Sequence, residues 1–348
     1  MFDLTTFAVR DEAYDFEDVL PAIRDGLSVD GRLFGSPMDA ESSFLMYRAD
    51  LVEEAGLEIP FAPTWDEVAE IAIALNSDDR AGICLRGKPG WGDQGAAFTT
   101  VLNTFGGTWW SVADDGISIG ESQVDQAEWL GALDFYVDLI NAAGPPDSAG
   151  NSFNECQSLY LDDQVAMWYD STNGAPGLEA NGSPVQGLNG YSLAPVNVTE
   201  TSGWLWSWAF GIPATSEEPA LAWEFISWAT GPDLLVQFGS NLDGGWAATP
   251  PGTRQSLYDN PEYQNSGAAA FAQLTLDSML SAPINNPGTT PRPGLPGVQF
   301  VGLQQFQEMG NQCTEQIAAA IAGTQSTADT QAACHEIASQ FDGQGLDG

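Results

Sequence analysis

Arg86, Lys88 and Trp91 lie within one glycine-rich stretch, Arg86-Gly-Lys-Pro-Gly-Trp-Gly92. Lys88 is the only lysine among the 348 residues. Glycines let a backbone approach a ligand closely, while the two cations donate hydrogen bonds and the indole offers an apolar face. The stretch predicts ligand contact; the alternative is a structural turn whose cations pair with neighbouring acids. It does not fit the G-x-x-x-x-G-K-[ST] pattern of a phosphate-binding loop.

Several of the twelve tryptophans lie where a core residue is not expected. Trp91 and Trp246 occupy glycine-rich, turn-like stretches, and Trp204, Trp206 and Trp208 alternate, so a strand would put these three on one face. An indole can lie against the C–H face of a sugar while polar neighbours pair with its hydroxyl groups. We therefore expect ligand contact at Trp91, Trp204 and Trp246.

Two carboxylates are well placed to accept hydrogen bonds from ligand hydroxyl groups. Asp170 directly follows Met167-Trp-Tyr169 at a predicted strand end, and Glu41 follows the strand predicted at 33–37. A glycosidase would also use two carboxylates. With 48 acids in the chain, however, a pair of carboxylates has almost no specificity.

Histidine and cysteine chemistry is limited by the counts. His335 is the only histidine, which excludes a two-histidine metal site and leaves no sign of a Ser–His–Asp centre. We expect neither a metal nor a cofactor. The four cysteines lack C-x-x-C spacing. Cys313 and Cys334 lie on either side of a predicted helical turn and could form a disulfide, whereas Cys84 and Cys156 could be buried thiols or a second bridge.

The charge is extreme, with 48 acids against 9 Lys and Arg and a net charge of −39. Nucleic acid is therefore not expected as a partner, because phosphate binding requires concentrated cations. The acidity is either an adaptation for solubility or high salt spread over the surface, or a functional face for cations or a basic partner. No apolar run approaches the ~20 residues of a membrane span.

The hydrophobic pattern alternates strands with helices, which predicts an α/β architecture with partly parallel sheets. A capping box, Thr64-x-x-Glu67, opens a helix. Ser216-Glu-Glu-Pro219 opens another, with Leu221, Phe225 and Trp228 as its expected buried face. The remaining predicted elements are helices at 49–55, 122–143, 153–161, 301–322 and 327–341, and strands at 43–47, 164–169, 190–195 and 206–212.

The order of motifs resembles the family 1 extracellular solute-binding proteins of ABC importers. The general resemblance rests on Gly31-Arg-Leu-Phe-Gly-Ser-Pro37, Glu41-Ser-Ser43, Tyr47-Arg-Ala-Asp-Leu51 and Thr64-Trp-Asp-Glu67. A second set resembles the sorbitol/mannitol-binding branch: Gly82-Ile-Cys-Leu-Arg-Gly-Lys-Pro-Gly-Trp-Gly92, Asn103-Thr-Phe-Gly-Gly107, Val165-Ala-Met-Trp168, Gly203-Trp-Leu-Trp-Ser-Trp-Ala209, Pro250-Pro-Gly-Thr-Arg254 and Gly297-Val-Gln-Phe-Val-Gly302.

The resemblance implies a periplasmic-binding-protein-like fold of two α/β lobes, with a sugar alcohol or small sugar captured in the cleft and no catalysis. The first lobe would comprise 1–38 and 209–248, the second 42–205 and 252–341, with hinge crossings near 39–41, 206–208 and 249–251. It also implies a monomer, periplasmic or attached to the cell surface, with permease and ATPase partners. The implied ligand-binding residues are Glu41, Arg86, Lys88, Trp91, Asp170, Trp204, Trp206, Trp246 and Arg254.

The chain departs from the family at its start, where it lacks a signal peptide and the leading strands of the first lobe. We therefore expect an N-terminally truncated first lobe. The alternatives are a truncated relic that does not bind, or a glycoside hydrolase with a carboxylate pair. We also expect Trp204→Ala and Asp170→Ala to weaken ligand binding without unfolding the protein.

Overall fold

A computed structural model describes residues 1–345, which divide into two compact units. Unit 1 comprises Met1–Ser42, Thr172–Gly187 and Trp206–Leu280, and unit 2 comprises Ser43–Ser171, Leu188–Leu205 and the chain from Ser281 onward. Residues 172–187 and 252–280 thus belong to unit 1, whereas the resemblance placed them in the second lobe. The reason is local contact. Asn181 N–H donates to Gly244 O at 3.0 Å, and Leu20 N–H donates to Thr253 O at 2.9 Å.

Within residues 1–345 the strands are short. They are β1 (Ser28–Val29), β2 (Arg32–Leu33), β3 (Ser36–Glu41), β4 (Ser43–Arg48), β5 (Ala81–Cys84), β6 (Trp110–Val112), β7 (Ile119–Ser122), β8 (Val165–Ser171), β9 (Asn189–Leu193) and β10 (Trp206–Phe210).

Helices account for most of the remaining regular structure. They are α1 (Thr5–Arg10), α2 (Pro21–Gly26), α3 (Ala49–Glu54), α4 (Trp65–Leu75), α5 (Gln94–Thr104), α6 (Ala127–Ala143), α7 (Phe153–Leu161), α8 (Ala175–Glu179), α9 (Pro219–Thr230), α10 (Pro232–Asn241), α11 (Gln255–Tyr258), α12 (Pro261–Gln264), α13 (Ala272–Leu280), α14 (Gln305–Ile321) and α15 (Thr327–Ser339). None of the helices in the described residues is long and apolar enough to span a membrane.

Unit 2 is built on a four-stranded sheet in the order β5-β8-β4-β9. β8 pairs in parallel with β5 and antiparallel with β4. Every residue of β8 is buried, as expected for a central strand covered on both faces. The parallel pair matters for function because the carboxyl ends of β5 and β8 lie side by side.

The predicted capping box on α4 is confirmed. Thr64 Oγ1 accepts from Glu67 N–H at 3.2 Å, and Glu67 Oε2 accepts from Thr64 N–H at 2.8 Å. Each side chain thereby satisfies a backbone donor that the first helical turn leaves open. The helix buries Trp65, Val68 and Ile71.

Unit 1 contains the antiparallel pair β3–β10 and a small apolar core. Trp223 and Ile226 of α9 pack into a buried cluster with Leu4, Tyr14 and Ile212. The predicted buried face of α9 was wrong, because the helix turns Trp223 and Ile226 to the core. Leu221, Phe225 and Trp228 therefore lie on the opposite side, where they are 63%, 55% and 58% exposed.

Of the two disulfides that the sequence left open, the structure contains the one between Cys84 and Cys156 and not the one between Cys313 and Cys334. Cys84, at the end of β5, is bonded to Cys156 of α7, with Cα atoms 5.6 Å apart. The bridge closes because α7 leads directly into β8, the neighbour of β5. Cys313 and Cys334 face each other across α14 and α15, but both are buried free thiols. Burial raises the pKa of the Cys313 thiol well above its usual value, so it resists ionisation.

Candidate functional site

An arginine–aspartate pair lies at the carboxyl ends of β5 and β8 in unit 2. Arg86 follows β5 by two residues, and Asp170 lies near the end of β8, so the parallel pairing brings the two side chains together. The guanidinium holds both carboxylate oxygens, with Nε to Oδ2 at 2.9 Å and Nη2 to Oδ1 at 2.5 Å. Asp170 is only 1% exposed and Arg86 8%, so this is a buried, bidentate ion pair.

Further hydrogen bonds fix the orientation of this pair. Arg86 Nη1 donates to Gly92 O at 2.9 Å, which ties the arginine to its own glycine-rich turn. The Tyr136 hydroxyl donates to Arg86 O at 2.7 Å. Asp170 also accepts from Trp168 Nε1 at 3.1 Å. The two charges neutralise each other, and these hydrogen bonds hold both side chains in a fixed orientation.

Aromatic rings surround the guanidinium. Its carbon lies 5.9 Å from the Trp204 ring centroid and 5.7 Å from that of Phe153, within the range of a cation–π contact. The Trp204 ring meets Tyr169 edge to face at 6.3 Å. Trp204 is therefore part of the wall that shields the ion pair from water, as its 2% exposure indicates.

The glycine-rich turn itself is anchored by backbone contacts. Lys88 N–H donates to Asn151 O at 2.9 Å, and Trp91 N–H donates to Asn311 Oδ1 of α14 at 3.0 Å. The Trp91 ring meets Phe306 edge to face at 6.4 Å and is only partly exposed. Lys88 is exposed and takes part in none of the ion pairs found within residues 1–345. Its contact with a ligand stays a prediction.

Unit 1 carries a second polar cluster on the pair β3–β10. Asp39 and Glu41 alternate along β3 and so share a face, and they lie opposite Trp208 and Trp206 in register. Asn173 Nδ2 donates to Glu41 Oε2 at 2.8 Å. Two carboxylates, an amide and two indoles form a set of groups suited to hydroxyl-rich molecules.

The predicted tryptophan face is only partly correct. Trp206 and Trp208 belong to β10, and their ring centroids lie 6.2 Å apart, edge to face. Trp204 precedes the strand and belongs to unit 2. The alternation pattern identified the strand but could not locate where it begins.

Asp39 is a candidate ligand-binding residue that the sequence analysis did not identify. Burial raises its pKa from 3.8 to about 6, which hydrogen bonds from the Trp208 backbone and the Asn173 side chain oppose only in part. Its spacing of two residues from Glu41 was the available signal, since a strand places such residues on one face. Asn173 had no comparable signal, because only the fold brings it to β3.

The Asp39 carboxyl is expected to make stability fall as pH rises through about 6. Its folded pKa lies above its unfolded value of 3.8, so the folded state binds the proton more tightly. The resulting loss in the free energy of unfolding is absent below about pH 4. It is complete above about pH 6, where it reaches at most about 3 kcal/mol. Denaturant unfolding between pH 4 and 8 should show this slope in the wild type and not in Asp39→Asn. Asp78→Asn, at an exposed position, is the control and should retain the slope.

Two other predicted ligand residues have mainly structural surroundings. Arg254 is fully buried in unit 1, where Nε donates to Thr230 O at 2.9 Å and Nη1 lies 3.3 Å from Asp18 Oδ2. Its guanidinium also stacks over Tyr14 at 4.7 Å. These contacts join the first forty residues to the 252–280 segment, and ligand contact at Arg254 stays a prediction. Trp246 lies against Gly239 of α10, where an added Cβ would meet its ring at 2.1 Å.

Comparison with known proteins assigns the family. Residues 2–234 match the model of the bacterial extracellular solute-binding proteins. The chain belongs to this family.

Among the residues the structure describes, no group of three or more His, Cys, Asp or Glu side chains could hold a metal ion.

Individual members of the family show the degree of similarity. The chain is 38% identical to a mannitol-binding protein of Pseudomonas aeruginosa over 327 residues, which is 93% of this chain and 72% of that protein. A solute-binding protein of Agrobacterium vitis S4, solved with bound D-mannitol, matches with a TM-score of 0.91 and 40% identity over 98% of this chain and 80% of that one. A ribitol complex from Agrobacterium radiobacter K84 matches at a TM-score of 0.76 and 23% identity over 98% and 79%, a likeness of fold.

Proposed function

We propose that this protein is the substrate-binding component of an ABC importer and that it captures a sugar alcohol of the mannitol type. The observation that carries the proposal is the match to the Agrobacterium vitis protein with bound D-mannitol, which extends over 98% of this chain at 40% identity. The mannitol-binding relative from Pseudomonas aeruginosa supports the same ligand class.

The chemistry of the two clusters fits such a ligand. An alditol is neutral and carries a hydroxyl group on every carbon, so it needs many oriented donors and acceptors and no net charge in the site. The Arg86–Asp170 pair supplies both types of group at zero net charge, and hydrogen bonds to charged groups are the stronger ones. On unit 1, Asp39 and Glu41 add two carboxylates and Asn173 adds an amide, so that cluster also offers both acceptors and a donor, without a cation.

We propose that the protein binds its ligand and does not catalyse a reaction. Both oxygens of Asp170 accept hydrogen bonds from Arg86, which favours a fixed acceptor over a residue that donates a proton to a leaving group. As partners we propose a membrane permease and an ATPase. We place the protein outside the cytoplasmic membrane, as a monomer, and assign it no nucleic-acid partner.

A thermal-shift screen tests the proposal. The panel comprises D-mannitol, D-sorbitol, ribitol, D-glucose and maltose, at low and high salt. A ligand at a hundred times its Kd stabilises the folded state by about 2.7 kcal/mol, so one or two alditols should raise Tm clearly while maltose does not. A cooperative melt that no alditol shifts, or release of product from an aryl glycoside, would contradict the proposal.

A further inference from the structure

Arg292 is a buried arginine without a carboxylate partner in the described part of the chain. It is 5% exposed and is absent from the ion pairs there, which involve Arg24, Arg48, Arg80, Arg86 and Arg254. Buried arginines are almost always paired, and in a chain with 48 acids a partner would be easy to provide. Its isolation therefore calls for an explanation.

The hydrogen bonds of Arg292 account for only part of its guanidinium. Nη2 donates to Gly297 O at 2.8 Å and to Phe300 O at 3.0 Å. These two hydrogen bonds hold the proline-rich segment that precedes α14. Nε is buried and has no hydrogen-bond partner in residues 1–345. Burial lowers the pKa of Arg292 to about 10, so the side chain remains protonated at neutral pH. A charged donor is thus left unsatisfied.

Arg292 is one of the residues that line a cavity of about 230 Å³ within unit 2. The remaining lining residues are uncharged, and they include Thr108, Ser111, Thr289 and Thr290 with the glycines 106, 107 and 288. No Asp or Glu is among them, although the chain as a whole carries −39. The cavity shares no residue with the Arg86–Asp170 pair or with the Trp204 wall.

We propose that this cavity is a second binding site, for a small oxyanion that pairs with Arg292. A planar guanidinium without a carboxylate partner matches the oxygens of a sulfate, phosphate or carboxylate group. Because the other lining residues are uncharged, none of them would repel a bound anion. Occupancy stabilises unit 2 by providing the missing counter-charge, and it is independent of alditol binding.

Thermal unfolding of the full chain tests the site with a variant that should fold. Thr290 is exposed at the cavity, so Thr290→Glu adds a carboxylate to the cavity that Arg292 lines without disturbing the core. Thr201→Glu, also exposed in unit 2, adds the same charge away from the cavity and is the matched control. Each protein is melted in sodium chloride, sulfate, phosphate and acetate at matched ionic strength.

At about ten times Kd an oxyanion should raise the Tm of the wild type and of Thr201→Glu by roughly 3 °C relative to chloride. Thr290→Glu should lose this difference and should melt higher than Thr201→Glu in chloride. A response to sulfate and phosphate alone assigns the site to inorganic oxyanions, and a response to acetate assigns it to carboxylates. The proposal is overturned if no oxyanion exceeds chloride, or if all three proteins respond equally, because general salt exclusion acts on all of them.

Discussion

Asp170→Asn is expected to lower the free energy of unfolding by about 3–5 kcal/mol and to remove alditol binding. The substitution preserves the size of the side chain but leaves the buried Arg86 guanidinium without its counter-charge, and an unpaired buried charge is strongly destabilising. The sequence analysis expected Asp170→Ala to weaken binding without unfolding the protein; because both partners are buried, we now also expect a large loss of stability on substituting Asp170. Urea unfolding, followed by tryptophan fluorescence, measures the change.

Two further variants separate stability from binding. Glu17→Gln removes an ion pair whose acid is 81% exposed, and it should cost no more than about 1 kcal/mol. The double variant Arg86→Met with Asp170→Leu removes both charges at once, so it should recover much of the stability lost in Asp170→Asn. It should not recover alditol binding. If Asp170→Asn unfolds at the wild-type urea concentration, the account of the ion pair is wrong.

Removing the Cys84–Cys156 disulfide is expected to have the second large effect on the stability of the folded state. The bridge spans 72 residues, and a loop of that length stabilises the folded state by about 4 kcal/mol in the chain-entropy view. Cys84→Ala with Cys156→Ala should therefore lower the unfolding midpoint markedly. A reducing agent should lower the wild-type midpoint and leave that of the double variant unchanged.

The other cysteine pair provides the control. Cys313 and Cys334 are free in the structure, so Cys313→Ala with Cys334→Ala should retain the full response to the reducing agent. Should this variant lose the response, the disulfide would lie between α14 and α15, and the pairing described above would be incorrect.

The sequence identified local features better than distant contacts. The capping box at Thr64 and Glu67 depends on residues three apart, so its spacing alone predicts it. Arg86 and Asp170 were each recognised as candidates, but their pairing depends on the parallel register of β5 and β8, which no local pattern encodes. Arg254 shows the same limit, because its burial against Asp18 and Tyr14 depends on tertiary contacts that the surrounding motif does not encode.

The errors on α9 and on the cysteines have a related cause. The helix carries apolar residues around much of its circumference, so periodicity could not decide between the face of Trp223 and Ile226 and the face of Phe225 and Trp228. For the cysteines, spacing favoured the pair in the helical hairpin, whereas the bonded pair is joined through the sheet. Disulfide connectivity depends on tertiary structure, which sequence spacing does not determine.

Isothermal titration calorimetry with D-mannitol tests the central claim most directly. The account predicts one binding event per chain with a Kd of about 1 μM or lower, equivalent to about −8 kcal/mol. It predicts binding at least roughly 30-fold weaker in the Arg86→Met, Asp170→Leu variant, since lost charged hydrogen bonds cost about 2–5 kcal/mol. No heat of binding from a cooperatively folded wild type, or an equal Kd in the two proteins, would contradict it.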